Sequence, residues 1–468
     1  MCIGYIEPFQ FFLNKPLNMS EQSLSISDDM RLICSGSTTT TAYCLDDFES
    51  SIKCSKRLLI RYQNNLLLLQ TNTSGALKQN CSTKWRFISQ LDDGAVKENL
   101  SNCSPIRAFL PGNKNTLHIE QYTLLDDNEK TIARCTLYHL SNADHSLIFG
   151  VSQPLRGYDA EHALLQEFLC KHGAAAINSY ADIYAQCGFD QPVYNAKPKL
   201  DISVDAPAIE TAAHLIEVSI NVSRQNEEGI KADYDTEFLH DYRVSLRKVR
   251  SVLSLFKGVY SEADTAALKQ DFSDIMKETN RLRDLDVYLL DRQELFELLP
   301  VRMHVGLEQM FDAFAVERKK QLQQVKKMLN GKSYQHSIQS LQDKFSSADK
   351  LSAGPKALVA SLPFATKLIW KRYGKVCQIA RQIETTTPDE EIHQLRIQCK
   401  KLRYLMEFFS TLFPQKMLKD LIKSLKRLQD NLGRFNDFSI QQESLQEFLT
   451  TYAKKHRNQN LIPMAESI

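Results

Sequence analysis

The chain has 468 residues, enough for two or three domains, and its 43% hydrophobic and 24% charged residues are ordinary for a globular protein. Its formal net charge is only +2, which excludes a global basic field, so any anion site must come from local clustering of cations. The 11 cysteines include no C-x-x-C pair, which fits reduced thiols in a cytoplasmic protein better than a disulfide framework.

Residues 1–22 predict a poorly defined N-terminal extension. The segment 1–18 is apolar, but Glu7 and Pro8 interrupt it and it lacks a basic leader, so it is a poor signal peptide. Met19 is an alternative start of translation. No apolar run reaches the roughly 18 residues that a membrane-spanning helix needs.

Residues 23–190 form the next predicted domain, most of which has the composition of antiparallel strands. Short β-rich runs alternate with polar turns, which indicates a meander or barrel of antiparallel strands. The runs are Arg57–Tyr62, Leu66–Thr71, His118–Leu124, Ile132–His139 and Ser146–Val151, with Ser23–Ser27 as the expected first strand. Residues 160–190 change to a helical period, and 191–206 predict a linker.

The strand-rich domain resembles the CYTH domain, a β-tunnel that hydrolyses triphosphates with a divalent metal. The resemblance rests on Ala42–Phe48, Arg57–Leu69 and Pro154–Glu161. CYTH catalysis needs an early E-x-E-x-K strand, whereas Ser23–Ser27 contains no carboxylate to hold the metal. We therefore expect a degenerate CYTH-like domain that has kept its strands and lost its chemistry.

From residue 207 to residue 455 the spacing of apolar residues is helical, and one sequence motif occurs twice. His240–Arg250 returns 153 residues later as His393–Arg403, with the histidine and basic residues again spaced by 3, 4 and 3 positions. On a helix these side chains fall within an arc of roughly 80°. Each copy therefore presents a narrow basic stripe with a histidine at its N-terminal end.

The same offset relates further segments, which indicates two similar helical units about a pseudo-twofold axis. Leu255-Phe256 corresponds to Phe408-Phe409, and Arg281–Asp284 corresponds to Arg434–Asp437. The second stripe also has a predicted helix start, with Thr387 as N-cap, Pro388 in the first helical position and Glu390 completing a capping box.

These motifs resemble the CHAD domain, the conserved histidine α-helical domain. The resemblance rests on His240–Arg250, Arg283–Asp286, His393–Tyr404 and Leu421–Asp437. It implies a pair of four-helix bundles around a basic channel that binds inorganic polyphosphate, with 456–468 as a C-terminal tail. The chain as a whole is then an α+β protein of two domains.

The predicted polyphosphate-binding residues are arginines and lysines, whose charged groups donate hydrogen bonds to phosphate oxygens, together with histidine, tyrosine and asparagine donors. They are His240, Arg243, Arg247, Lys248, Arg250, Arg281, Arg283, Lys371, His393, Arg396, Lys400, Lys401, Arg403, Tyr404, Lys423, Lys426, Arg427 and Asn436. Lys371 lies in a row with Lys367 and Lys375. Tyr404 either donates to phosphate or packs in the core.

The acidic residues of the repeat, Asp284, Asp286 and Asp437, are expected to orient neighbouring basic groups or to cap helices. No second histidine or cysteine lies three or four residues after His240 or His393, so a helical metal pair is not expected. Both histidines are expected to donate to phosphate, with a structural role as the alternative. Because imidazole gains charge below about pH 6.5, the sequence predicts tighter polyanion binding at mildly acidic pH.

The sequence predicts a non-enzymatic polyphosphate-binding protein without a cofactor, and the resemblance implies association with polyphosphate granules. The alternative is a metal-dependent triphosphatase or polyphosphatase in the strand-rich half, with Glu120 and Glu161 contributing. A nucleic-acid binder is disfavoured, because the net charge is near zero and no aromatic residues are interleaved with the stripes as stacking platforms.

Overall fold

The computed structural model describes residues 8–17, 23–71, 75–81, 84–186, 193–346, 350–384, 387–432 and 450. The chain divides into two compact units, Met1–Asn195 and Ala196–Ile468. This boundary falls inside the segment 191–206 that the sequence indicates as a linker. None of the helices in the described part of the chain is both long and apolar enough to span a membrane.

The N-terminal unit is built on one antiparallel sheet of ten strands. They are β1 (Phe9–Leu13), β2 (Ser23–Ser27), β3 (Met30–Asp46), β4 (Leu58–Tyr62), β5 (Asn65–Leu69), β6 (Ala76–Asn80), β7 (Leu110–Asp126), β8 (Thr131–Ser141), β9 (Ser146–Pro154) and β10 (Ala174–Ala176). Their order is β10-β1-β9-β8-β7-β3-β4-β5-β6, and β2 pairs with β3 outside this path. The helices are α1 (Ser51–Cys54), α2 (Ala95–Asn99), α3 (Asp159–Lys171) and α4 (Ala181–Gln186).

Both faces of this sheet carry a hydrophobic core, because successive side chains of a strand point to opposite faces. Tyr138 and Leu140 of β8 belong to the core on one face. Cys135 and Leu137 of the same strand belong to the core on the other face. The five internal runs that the sequence indicates as strands correspond to β4, β5, β7, β8 and β9.

The sheet begins earlier than the sequence indicates, which is a correction to the expected extension. β1 pairs with both β9 and β10, and its Phe11 and Leu13 are buried. Ser23–Ser27 is therefore not the first strand. β1 has the sequence FQFFL, so the strand that does come first contains no carboxylate either.

The C-terminal unit is helical. Its helices are α5 (Ala208–Gln225), α6 (Glu227–Ala232), α7 (Thr236–Leu255), α8 (Glu262–Lys277), α9 (Asn280–Leu290), α10 (Arg292–Leu298), α11 (His304–Asn330), α12 (Lys332–Phe345), α13 (Ser361–Ala380) and α14 (Asp389–Phe408). Residues 415–432 are also helical. The basic stripes lie on α7 and α14, which contact each other, as do α5 and α13.

The helices of the second half begin at the same 153-residue offset as the sequence repeat. α13 and α14 begin at residues 361 and 389, each 153 positions after the first residues of α5 and α7. The Ala208 N–H donates to the Val359 carbonyl at 2.9 Å, and the equivalent Ser361 N–H donates to the Ala206 carbonyl at 2.9 Å. Such reciprocal bonds are typical of a pseudo-twofold axis between α5 and α13. Part of the second half lies outside the described residues, so a pair of four-helix bundles stays a prediction.

The start of α14 differs from the predicted capping box. The helix begins at Asp389 with Pro388 at the N-cap, and no side chain caps it. The Thr387 hydroxyl instead accepts a hydrogen bond of 2.7 Å from the Glu384 N–H in the preceding turn, so it does not cap α14. Asp389, Glu390 and Glu391 in the first turn still oppose the positive end of the helix dipole.

Candidate functional site

A cavity of about 260 Å³ lies where the two basic stripes meet, between α7 and α14. Four cations line it: Arg247 and Arg250 from α7, and Lys400 and Lys401 from α14. The remaining lining residues are Ser251, Ser254, Leu255, Ile397 and Tyr404. No carboxylate is among these nine residues, so the wall of the cavity is cationic.

Arg247 has unused hydrogen-bonding capacity at this wall. Its Nε is buried and has no hydrogen-bond partner among the described residues. A buried N–H without an acceptor costs free energy, which an anion in the cavity would offset.

Tyr404 forms an aromatic support for the cations. Its side chain is buried, and burial raises the pKa of its hydroxyl while Arg247 and Arg403 act in the opposite direction. The Lys400 Nζ lies 6.0 Å from the centre of the Tyr404 ring, and the Arg403 Cζ lies 5.2 Å from it. Cation–π contacts of this length stabilise both charged groups beside the ring.

Further cations act electrostatically on two residues of the cavity wall, Lys401 and Arg250. The pKa of Lys401 is lowered by burial and then by Arg372, Lys375 and Lys257. The pKa of Lys269 is lowered by burial and then by Lys257 and Arg250. Mutual repulsion of this kind is relieved when an anion binds.

The two copies of the stripe differ at their last arginine. Arg403 donates from Nη1 to Glu407 at 2.7 Å and from Nε to Gln429 at 3.0 Å. The repeat equivalent of Glu407 is Ser254, so Arg250 has no carboxylate one turn away. Arg250 is exposed and forms no ion pair within the described part of the chain. Among the described residues, the last arginine is therefore unpaired in the first copy, whereas Glu407 neutralises it in the second copy.

The equivalent lysines Lys248 and Lys401 also have different surroundings. The Lys248 Nζ donates to the Ala196 carbonyl at 3.0 Å, and burial lowers its pKa. Its equivalent, Lys401, lines the cavity.

His240 and Arg243 of the α7 stripe both have hydrogen-bond partners outside α7. Arg243 donates to the Met276 carbonyl at 3.1 Å and to the Thr279 hydroxyl at 2.6 Å, which fixes it at the C-terminal end of α8. Burial, and then Arg247, lower the pKa of Arg243 to about 10. The Arg283 Nη2 donates to His240 Nδ1 at 2.9 Å, so this imidazole nitrogen carries no proton. Protonation of His240 at Nδ1 would break that bond, which opposes the predicted gain in polyanion binding at acidic pH.

Other predicted residues are held by carboxylates. Arg281 donates twice to Glu317, both at 2.7 Å, in a bidentate ion pair. The buried Asp286 accepts from the Arg318 Nε at 2.6 Å, a contact that orients this cation. Burial raises the pKa of Asp284, while Arg243, Arg281 and Arg283 lower it.

The structure does not bring all predicted residues to the cavity. His393 and Arg396 are half-buried on α14 and do not line the cavity. Lys371, Lys423, Lys426 and Arg427 are exposed and also outside it. Asn436 and Asp437 lie outside the described residues.

Sequence reasoning missed Lys257, Lys269 and Arg372. Lys257 and Lys269 fall outside the repeated motif, and the equivalent of Lys257 is Ser410, so the repeat gives no signal for it. Arg372 directly follows Lys371, and its position beside a row of lysines was the available signal.

The strand-rich unit bears on the alternative function. Glu120 accepts from the His139 Nε2 at 2.8 Å and lies 3.5 Å from the His118 Nε2. Glu161 is in the first turn of α3. Among the described residues, no group of three or more histidine, cysteine, aspartate or glutamate side chains is arranged to hold a metal ion.

The fold and the cavity define a helical domain with an internal repeat and a cationic site on the repeated helices. Residues 215–446 match the family model described as the CHAD domain, and this region of the chain is a CHAD domain.

Two solved structures are similar to the chain. One is the crystal structure of the CHAD domain from the plant Ricinus communis, with 21% identity, a TM-score of 0.47, and coverage of 58% of this chain and 94% of that one. The other is PptA from Streptomyces chartreusis, with 14% identity, a TM-score of 0.40, and coverage of 56% and 91%. No curated protein matches the sequence.

Proposed function

We propose that the helical unit binds inorganic polyphosphate, without catalysis, in the cavity between α7 and α14. The observation that carries the proposal is the composition of the cavity wall, which has four cations and no carboxylate. The CHAD resemblance supports polyphosphate as the polyanion.

The chemistry of the wall suits a chain of phosphates. Arginine offers a planar fork of donors to phosphate oxygens, and lysine offers a compact charge. Arg247 contributes a donor without a present acceptor. Lys257 and Arg372, which act electrostatically on Lys401, add positive charge near the cavity, and an extended anion gains from each contact and from released counterions.

The remaining predicted residues take different parts in the proposal. Arg283 orients His240 of the α7 stripe, and the end of α8 holds Arg243 in the same stripe. Arg281 and Arg403 contribute less, because Glu317 and Glu407 already neutralise them. Lys371, Lys423, Lys426 and Arg427 widen the basic surface along a channel between the two helical halves.

In the cell, the proposal places the protein in the cytoplasm in association with polyphosphate granules. The strand-rich unit is then a degenerate CYTH-like companion without catalytic activity. The absence of an acidic residue from both β1 and β2 supports this part of the proposal.

The test is the affinity for long-chain polyphosphate across a salt series. The variant Arg247→Ala/Lys400→Ala is expected to bind about a hundredfold more weakly, since charge-assisted hydrogen bonds contribute roughly 1.5–3 kcal/mol each. The slope of log affinity against log salt is expected to become shallower by about 0.7 for each phosphate that the variant no longer neutralises. The wider variant Arg243→Ala/Arg247→Ala/Arg396→Ala/Lys400→Ala is expected to abolish binding.

The matched control is Lys320→Ala/Lys332→Ala, which removes the same charge from exposed positions on α11 and α12. It is expected to retain the wild-type affinity and salt slope. Equal binding by all variants, or no binding by the wild type, would show that the stripes are a solvated face.

A further inference from the structure

The strand-rich unit has a second cavity, of about 750 Å³, bounded by α1, α2 and the ends of β4 and β5. Every residue that lines it is a serine, cysteine, asparagine, glutamine, arginine or glutamate. We infer that this cavity binds a small zwitterionic metabolite of the free α-amino-acid class, with its carboxylate on Arg57 and its ammonium group towards Glu98. This inference is independent of the polyphosphate site.

Arg57 is a positioned cation without a counter-ion. Its Nε donates to the Ser55 hydroxyl at 2.8 Å, and its Nη1 donates to the Asn99 carbonyl at the end of α2 at 2.5 Å. Its Nη2 reaches only the Cys103 sulfur, at 4.0 Å, which is a weak contact. Arg57 forms no ion pair with any described residue. The neutral contacts fix the guanidinium and leave Nη2 donors for a carboxylate in the cavity.

The nearby carboxylate of Asp46 does not compensate Arg57, because it is used elsewhere. It accepts backbone N–H bonds of 2.9 Å from Asp47, Ile52 and Lys53 around the start of α1. Burial raises the pKa of Asp46 to about 7, which further reduces its negative charge.

Gln70 adds an amide to the wall of the cavity. Its side chain is only 4% exposed, yet it lines the cavity. Its Nε2 makes one long hydrogen bond, of 3.4 Å, to Asn99 Oδ1. An amide held this weakly is available to a polar ligand in the cavity.

The charges of the wall select the class of ligand. Arg57 is its only cation and Glu98 its only carboxylate, and the two do not pair with each other. One charge of each sign complements a zwitterion, whereas a triphosphate would face one cation and one repelling carboxylate. The wall offers neither an aromatic ring to stack a base nor an aliphatic pocket, so the ligand side chain is also polar.

The test uses the full chain and the twenty standard L-amino acids, screened as mixtures by saturation-transfer NMR, with tripolyphosphate as a separate probe. Titration calorimetry then measures the affinity of each amino acid that gives a signal. We expect a polar amino acid to bind and tripolyphosphate not to displace it. We expect Glu98→Gln and Arg57→Lys each to weaken binding at least tenfold, because both remove one matched charge or donor geometry.

Glu167→Gln is the matched control, since it makes the same change at an exposed position on α3. Glu98 is itself exposed, so Glu98→Gln is expected to fold normally even if Arg57→Lys does not. The inference is overturned if no amino acid binds, if Glu98→Gln binds as wild type, or if tripolyphosphate displaces the amino acid. Arg247→Ala/Lys400→Ala is expected to keep this affinity, which separates the result from the fate of the polyphosphate site.

Discussion

Arg250 and Arg403 occupy equivalent positions in the two halves, yet their surroundings differ because of one residue on the next turn. Glu407 accepts from Arg403 at 2.7 Å, whereas Ser254 stands in the equivalent position beside Arg250. Pairs four residues apart on a helix lie on the same face, so this single difference decides whether the arginine is neutralised. Ser254 also lines the cavity, so the difference acts directly on the site.

The substitution Ser254→Glu therefore tests the asymmetry. It is expected to give Arg250 a carboxylate partner, place a negative charge on the cavity wall and weaken polyphosphate binding about tenfold. The measurement is affinity at fixed salt. Ser337→Glu, at an exposed position on α12, adds the same charge away from the site and is expected to change affinity little. Equal reductions in both variants would mean that only net charge matters.

Lys401 gives a prediction for alkaline pH. Its pKa is lowered in the free protein by burial and neighbouring cations, and bound phosphates would raise it again. Binding is then accompanied by proton uptake, so affinity is expected to fall as the pH rises towards the lowered pKa of Lys401. Calorimetry in buffers of different ionisation enthalpy measures the uptake. Lys401→Arg, which stays charged, is expected to reduce it, and an unchanged uptake would contradict the assignment to Lys401.

At the scale of elements, the repeated helices meet through equivalent residues. The rings of Phe256 and Phe409, which are 153 positions apart, stack at 5.1 Å with an angle of 7° between their planes. Phe364 and Phe408 surround the same pair, with their ring centres 5.4 and 6.3 Å from that of Phe256. This aromatic cluster joins the ends of α7 and α14, and these helices also form the cavity.

Truncation of this cluster is expected to cost stability. Phe256 is 3% exposed, and Phe256→Ala is expected to reduce the free energy of unfolding of the helical unit by about 3–5 kcal/mol. Denaturant unfolding measures the change. Leu298→Ala, at a side chain that is 61% exposed, is expected to stay within about 0.5 kcal/mol of wild type. A small effect of Phe256→Ala would mean that α7 and α14 are held together by other contacts.

The repeat made the helical elements predictable, because a constant offset and a helical spacing are properties of the sequence itself. It predicted the stripe residues Arg247, Arg250 and Lys400, which line one cavity together with Lys401. It did not predict which cations are already neutralised, since the Arg281–Glu317 pair joins residues 36 positions apart on different helices. β1 was missed for a related reason, because its partners β9 and β10 are far away in the sequence.

At the scale of the whole molecule, the two units have separate hydrophobic cores, and their proposed ligands differ. Polyphosphate at a hundredfold excess over its Kd is expected to stabilise the helical unit by about 2.7 kcal/mol. Hydrogen exchange measures where this happens, and slower exchange is expected in α7 and α14 but not in β7 and β8. Uniform slowing in both units would contradict a ligand site confined to the helices.

A fused repeat has a freedom that a symmetric homodimer lacks. In a homodimer one mutation changes both copies of an interface, so the two ends of a site on the axis must stay alike. Here the halves share one chain, and each has acquired its own residue beside its last arginine. A linear phosphate chain is the same read from either end, but in the proposed complex it would meet Arg250, unpaired among the described residues, in one half and the paired Arg403 in the other. Such a site would distinguish the two ends of a symmetric ligand.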